Sequence, residues 1–396
     1  MVSQKMLALG RNNSVIRDIA EFGQQRAAQI GAENVFDFSI GNPSVPAPQA
    51  VTDTMKALLE NTPAAALHAY TSAPGDYSVR EAVARYNQET FGYPAKVEYV
   101  YMTAGASASL SIALSAIAEE GDEVIVFAPY FPEYRVFVEQ AGAKFVAVQS
   151  AEKTFQIDPE ALANAVNAHT KAVIINSPNN PTGVVLNRES ITSLCQILNE
   201  KAQIYGHPIY LITDEPYREL VYGDAQIIPI PLYYKNTIVC YSYSKSLSLP
   251  GERIGYILVS PAADNAQDVF DAICGAGRAL GYICAPSLHQ QLIKACLGMT
   301  ADISIYDKNR TLLYDALTQY GYEAVYPDGA FYLFVKALEP DANAFCEKAK
   351  AFDLLLVPAD SFGCPGYVRI AYCVETEKLR RSLPAFQKLA ALYKGA

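Results

Sequence analysis

The stretch Thr237-Ile238-Val239-Cys240-Tyr241-Ser242-Tyr243-Ser244-Lys245-Ser246-Leu247-Ser248-Leu249-Pro250-Gly251-Glu252-Arg253 decides how this chain is read. Its first five residues form an unbroken apolar run, the pattern of a strand buried on both faces. The run empties into hydroxyls that surround a single amine, with an arginine eight residues beyond it. An ammonium at the end of a buried strand loses hydration, which favours the neutral, nucleophilic amine that an aldehyde requires. The commonplace alternative is a solvated lysine in a serine-rich loop. The rest of the chain has to decide between them.

Outward from that run, apolar strands and amphipathic helices alternate with short connections. Strands are expected over 99–103, 123–127, 144–148, 172–176, 209–213, 237–241 and 254–259. Helices are expected to reach about Ala118 and Gln140, to start near Asp158, and to cover 189–202 and 264–275. Continuous apolar strands separated by helices predict an α/β fold. The sheet is mostly parallel, of the seven-stranded type, with helices on both faces and ligands at the carboxyl ends of its strands. The segment 286–297 and a long helix over 301–320 lead away from this sheet. Strands over 330–335, 354–357 and 367–372 follow, with helices over 342–352 and 375–393. At the other end, Ser14 is placed to cap a helix carrying Ile16, Ile19 and Ala20 that ends near Gly31. A short strand over 35–40 and the Pro-rich bend 41–48 come next. The two ends are expected to pack together, giving a large domain over 46–297 and a smaller, discontinuous α+β domain from 1–45 and 298–396.

Composition narrows the function classes. Of 396 residues, 51% are hydrophobic and 18% charged, which suits a well-buried enzyme and argues against disorder. A net charge of −10 supplies little basic surface, so no nucleic-acid partner is expected. His68, His169, His207 and His289 lie far apart without ligand spacing, and no metal site is expected. Eight cysteines without a C-x-x-C pair read as reduced thiols in a cytoplasmic protein. No run reaches about 18 apolar residues and the first ten lack a leader's apolar stretch, so no membrane association or processing is expected.

Further polar and aromatic groups stand where the expected strands end. The strand over 209–213 runs into Asp214-Glu215-Pro216-Tyr217. A carboxylate at the mouth of a buried strand needs a cation or several donors, and a protonated pyridine nitrogen would serve. The Tyr217 hydroxyl can reach the same site. After the strand over 172–176, two prolines and a glycine fix the loop Ser177-Pro178-Asn179-Asn180-Pro181-Thr182-Gly183, which offers the Asn180 amide. The strand over 99–103 leads through Ala104-Gly105-Ala106-Ser107 into a helix start, where small residues and free N–H groups favour an anion. Ser242, Ser244 and Arg253 add phosphate ligands around Lys245. Phe131 brings a flat ring to the same sheet edge. Singly, each reads as a turn, cap or packing residue. Together they call for one ligand, a phosphorylated aromatic aldehyde with a pyridine nitrogen: pyridoxal 5′-phosphate.

With these residues the chain resembles the class I and II aminotransferases, the aspartate-aminotransferase-like group of fold-type I pyridoxal phosphate enzymes, over nearly its whole length. The most specific signals are Asn179-Asn180-Pro181-Thr182-Gly183, Asp214-Glu215-Pro216-Tyr217, Ser242-Tyr243-Ser244-Lys245 and Arg253, in that order. The resemblance implies Lys245 as the Schiff-base lysine, Asp214 as partner of the pyridinium nitrogen, and Tyr217 and Asn180 at the ring hydroxyl oxygen. It places Gly105, Ala106, Ser107, Ser242 and Arg253 at the phosphate and stacks Phe131 on the ring. Tyr70 matches a tyrosine that family members lend to the neighbouring subunit's phosphate, which implies a homodimer with shared active sites. Arg369, in Gly366-Tyr367-Val368-Arg369-Ile370-Ala371, matches the arginine that grips the substrate α-carboxylate. Gly41 matches the small residue that lets the N-terminal segment close over substrate, and Asn180 also borders substrate. Two positions depart from the pattern: Phe131 stands where many relatives carry tryptophan or tyrosine, and Arg278 lies about two positions away from an arginine used for dicarboxylates. The implied activity is ping-pong transamination between an L-amino acid and a 2-oxo acid. Alternatives are a pyridoxal phosphate-dependent C–S β-lyase on the same fold and a non-catalytic pyridoxal phosphate sensor. Sensors of that kind carry an N-terminal DNA-binding domain, whereas about forty residues precede the sheet domain here.

Overall fold

The computed structural model describes residues 2–11 and 15–394. Ser14, expected to cap the first long helix, lies outside the described residues. That helix spans Val15–Ile30 and turns Ile19, Ala20 and Gly23 inward. The first strand, β1 (Phe36–Asp37), is shorter than expected. The central sheet then uses seven strands: β2 (Val100–Thr103), β3 (Glu123–Ala128), β4 (Lys144–Gln149), β5 (Thr170–Asn176), β6 (Tyr210–Asp214), β7 (Thr237–Ser242) and β8 (Gly255–Val259). Their order is β2-β8-β7-β6-β5-β3-β4. β8 runs antiparallel to β2 and β7, and every other pair is parallel.

Both faces of the sheet are dry except at the edge strand β4, and the strand period of two sorts its side chains between them. Val124, Val126, Ala172, Ile174 and Ile212 pack with Ile112 and Leu114 of the helix Ala106–Ile117 and with Ile273 of Ala266–Ala279. The intervening Ile125, Val173, Ile175 and Leu211 face the opposite way, onto Leu194 and Leu198 of Arg188–Tyr205. This is why the strands carry no polar alternation.

Towards β2 and β8 the second face is covered by three helices, Gln49–Asn61, Tyr77–Phe91 and Ser287–Cys296. The first two were not expected from sequence. Gln49–Asn61 fully buries only Val51, with Met55 and Leu58 half-buried on the same stripe. Ser287–Cys296 was expected to lead away from the sheet. Instead its Leu292, Ile293 and Cys296 pack in one cluster with Val100 and Val239.

The C-terminal part adds β9 (Tyr332–Lys336), β10 (Leu354–Leu355), β11 (Val357–Pro358) and β12 (Tyr367–Ala371). β11, β12 and β9 form an antiparallel sheet in that order, while β10 pairs in parallel with β1. The single strand expected over 354–357 is therefore broken at Leu356, because its two halves serve different partners. Helices Ser304–Tyr320 and Thr376–Ala391 close a core around Phe331, Leu333, Ile370 and Phe386.

Behind the end of β6 lies a buried ionic cluster. The Arg218 guanidinium sits between the rings of Phe91 and Tyr241, at 4.0 and 4.2 Å from their centroids. Its Nη1 donates to Glu215 at 3.2 Å and to Asn87 at 3.1 Å. Glu215 also accepts from Tyr93 and Thr213. The cluster ties the helix Tyr77–Phe91 to the segment that carries Asp214 and Tyr217. Removing one partner of a buried pair strands the other charge, so Arg218→Ala is expected to destabilise the protein by about 3–5 kcal/mol. Urea unfolding midpoints at unchanged slope would measure it; a loss below about 1 kcal/mol would show that the cluster does not hold this segment.

Candidate functional site

The carboxyl ends of β5, β6 and β7 and the start of the helix Ala106–Ile117 open on one cavity of about 280 Å³. Gly41, Ala106, Ser107, Phe131, Asn180, Asp214, Tyr217, Ser242, Ser244, Lys245, Arg253 and Arg369 all line it, from eight separate stretches of chain.

Lys245 stands in the short helical turn Tyr243–Ser246, which Ser242 caps by accepting the Ser244 N–H. Its Nζ donates to the Gly41 carbonyl at 2.7 Å. Burial draws the amine down from 10.5 to about 8; Cys373 opposes this, while Arg253 and Arg369 reinforce it. A substantial neutral fraction is thus present near pH 8.

Asp214 ends β6 in the adjacent strand. Its Oδ2 accepts from the Tyr134 hydroxyl at 2.6 Å, and its buried Oδ1 has no partner. Burial pushes this carboxyl up to about 7, the Tyr134 hydrogen bond pulls it back, and the charge of Glu215 adds to the rise. Asn176 bonds the Asp214 carbonyl through Nδ2 at 2.8 Å and accepts the Asn180 N–H at 2.7 Å. The proline-fixed loop is thereby tied to the carboxylate's own backbone.

Arg369 on β12 is buried, with 2% of its surface exposed. It donates through Nη1 to Asn180 Oδ1 at 3.1 Å and through Nη2 to the Ser39 carbonyl at 2.5 Å, and its Nε has no partner. Because Asn180 accepts through its oxygen, its NH₂ donors stay available to a ligand. The Tyr217 hydroxyl lies 2.9 Å from that of Tyr332.

The helix Ala106–Ile117 begins without a side-chain cap, leaving its first N–H groups for an anion. Gly105 has φ +86°, and a Cβ there would stand 2.7 Å from Nη2 of Arg253. Glycine is what lets the guanidinium approach the helix start. Ser242 and Ser244 share a hydrogen bond of 2.6 Å, and Arg253 Nη1 reaches Ser244 at 3.4 Å.

Two candidates lie elsewhere in this single chain. Tyr70 is 97% exposed and outside the cavity, and Arg278 is exposed on the helix Ala266–Ala279. Three residues of the site were missed from sequence: Tyr134, Asn176 and Tyr332. Tyr134 is one of 27 tyrosines and stands 80 residues from the carboxylate it binds, so no local pattern marks it. Asn176, at the end of an expected strand beside Asn180, carried the better signal.

The family model for aminotransferase class I and II matches residues 33–386. The chain belongs to the class I and II aminotransferases. It is 30% identical over 357 residues to an aspartate aminotransferase of Thermotoga maritima, covering 89% of this chain and 90% of that one. Among solved structures, an aminotransferase from Eubacterium rectale superposes with a TM-score of 0.97 at 54% identity over 99% of both chains. An aspartate aminotransferase from Thermus thermophilus, crystallised with maleate, gives 0.86 at 26% identity over 98% of this chain and 100% of that one. The chain is therefore a pyridoxal phosphate-dependent aminotransferase of the aspartate aminotransferase type. Two features of the cavity fit that cofactor: the orphaned Oδ1 of Asp214, which suits a protonated ring nitrogen, and the cradle at Gly105 that a single Cβ would fill.

The unpartnered carboxylate has a consequence for stability. The native Asp214 carboxyl titrates near 7 against an ordinary 3.8, so folding disfavours its charged form. That penalty is absent below about pH 4 and complete above about pH 7. Without cofactor, Asp214→Asn is therefore expected to be more stable than the wild type at pH 8, by about 2–4 kcal/mol, with the gap closing by pH 4. Urea unfolding of the cofactor-free proteins at the two pH values checks this; an equal difference at both would contradict it.

Proposed function

We propose that the protein moves the amino group of an L-amino acid to a 2-oxo acid in two half-reactions at one site, with Lys245 forming the Schiff base that anchors the cofactor. The observation that carries this reading is one cavity containing an amine drawn down to about 8, a buried carboxylate with a free oxygen, and a buried arginine with an unpartnered Nε. When bound, pyridoxal 5′-phosphate supplies an aldehyde and a ring that takes up negative charge from the substrate α-carbon.

The chain's residues divide the remaining work. Asp214, charged above about pH 7, holds the ring nitrogen's proton with Oδ1. Tyr217 and Asn180 hold the ring hydroxyl oxygen, and Phe131 covers a ring face. The N–H groups of the Gly105, Ala106 and Ser107 segment, with Ser242, Ser244 and Arg253, take the phosphate. Arg369 binds the substrate α-carboxylate beside Asn180, and Gly41 is the small residue that lets the N-terminal segment close over the substrate. Lys245 accepts the proton leaving the α-carbon at its neutral Nζ and carries it as an ammonium group.

We also infer a homodimer in which each subunit lends Tyr70 to its neighbour, in keeping with that side chain's full exposure and distance from its own cavity. The proposed domains are 46–297 and 1–45 with 298–396; a cluster around Ile174 within the first and one around Leu333, mostly from the second but joined by Tyr217, Leu220 and Tyr222, support them. All eight cysteines are free, which favours a cytoplasmic setting. No described helix is long and apolar enough to cross a membrane.

Incubation with pyridoxal 5′-phosphate is expected to give a visible band that borohydride fixes covalently to the wild type and not to Lys245→Ala. A screen of amino donors against 2-oxoglutarate and pyruvate should find turnover that Lys245→Ala loses by about 10²–10⁴-fold or more. A wild type without a reducible chromophore would overturn the reading.

A further inference from the structure

Tyr332 carries no role in the reading above, yet three parts of the site meet on it. It lies on β9, only 2% exposed, and lines the cavity. In the β9–β12 pairing Ala371 is its direct partner and Arg369 sits opposite Phe334, so Tyr332 and Arg369 are diagonal neighbours on one face of the sheet. The Arg369 guanidinium accordingly lies 4.8 Å from the Tyr332 ring centroid. The phenol then reaches out of its own sheet to the end of β6, where its oxygen is 2.9 Å from the Tyr217 hydroxyl. On its third side it touches the N-terminal segment, because a Cβ at Gly41 would overlap the Tyr332 hydroxyl.

We propose that Tyr332 is a positioning residue whose hydroxyl donates to Tyr217, leaving the Tyr217 proton aimed at the cofactor's ring oxygen. The inference rests on the reading of Tyr217 as a ligand of that oxygen. Two facing phenols have one proton too many for a single hydrogen bond, so one O–H must point elsewhere. The Tyr332 hydroxyl has no other hydrogen-bond partner among the described residues, whereas Tyr217 has the proposed ring oxygen to donate to. The order Tyr332 to Tyr217 to ring oxygen satisfies both phenols, and a donor that itself accepts a hydrogen bond is strengthened. Packing alone would be met by phenylalanine, since the ring already fills the space beside Arg369 and Phe331.

The test is a pH titration of the bound cofactor's visible absorbance, with cofactor affinity, in the wild type, Tyr332→Phe, Tyr217→Phe and the double variant. Hydrogen bonds to the ring oxygen favour its negative charge, so losing one moves the titration midpoint upward. Tyr332→Phe is expected to raise the midpoint by about half to one pH unit and to weaken cofactor binding about five- to tenfold. In the Tyr217→Phe background the same change should add nothing further. A Tyr332→Phe holoenzyme with the wild-type midpoint, or shifts that add in the double variant, would overturn the inference. If Tyr217→Phe itself moves neither quantity, the assignment of Tyr217 fails, and that of Tyr332 fails with it.

Discussion

At the ends of two adjacent strands, β6 and β7, the chain holds a carboxylate and an amine out of water without joining them. Asp214 and Lys245 line one cavity, and among the described residues neither belongs to an ion pair. Burial raises the acid and lowers the base, so both titrate near neutrality. Such an arrangement is unfavourable unless neighbours hold each group in place. Tyr134 holds one oxygen of the carboxylate and the Gly41 carbonyl receives the amine. Behind them the Arg218–Glu215 cluster fixes the backbone from which Asp214 and Tyr217 project. The free Oδ1 and the neutral amine are what a cofactor with an acidic ring nitrogen and an aldehyde would use.

The rest of the fold serves that constraint. A mostly parallel sheet covered by helices ends its parallel strands together on one edge, which is why residues from 41 to 369 in sequence converge on a single cavity. The C-terminal sheet contributes through Arg369 and Tyr332, side by side on one face. Asn180 accepts from Arg369, and Tyr217 meets Tyr332, so two of the contacts between the two parts of the molecule pass through side chains of the site itself.

The sheet was legible in the sequence because strands covered on both sides must be continuously apolar, and their carboxyl ends then mark the site. Asp214, Asn180 and Lys245 each follow such a run, Arg253 stands just before the antiparallel β8, and all four line the cavity. Legibility failed where burial is one-sided or contacts are long-range. The helices Gln49–Asn61 and Tyr77–Phe91 carry short stripes, Val51-Met55-Leu58 and Val79-Val83, set among polar residues, and the break at Leu356 depends on two partners more than ten residues away along the chain. Tyr134 and Tyr332 are indistinguishable from the other tyrosines until the fold sets them beside Asp214 and Tyr217. Tyr70 shows the converse: its local motif is clear, while a single chain leaves it in solvent.

The central claim is that Lys245 and Asp214 together serve amino-group transfer. Mixing the purified holoenzyme with an amino donor alone, in the absence of any 2-oxo acid, tests it most directly. The account predicts one equivalent of 2-oxo acid per active site, a matching loss of the aldehyde form's absorbance, and then no further reaction until an acceptor is added. Continued release of ammonia and pyruvate from a cysteine-type donor without an acceptor would contradict it.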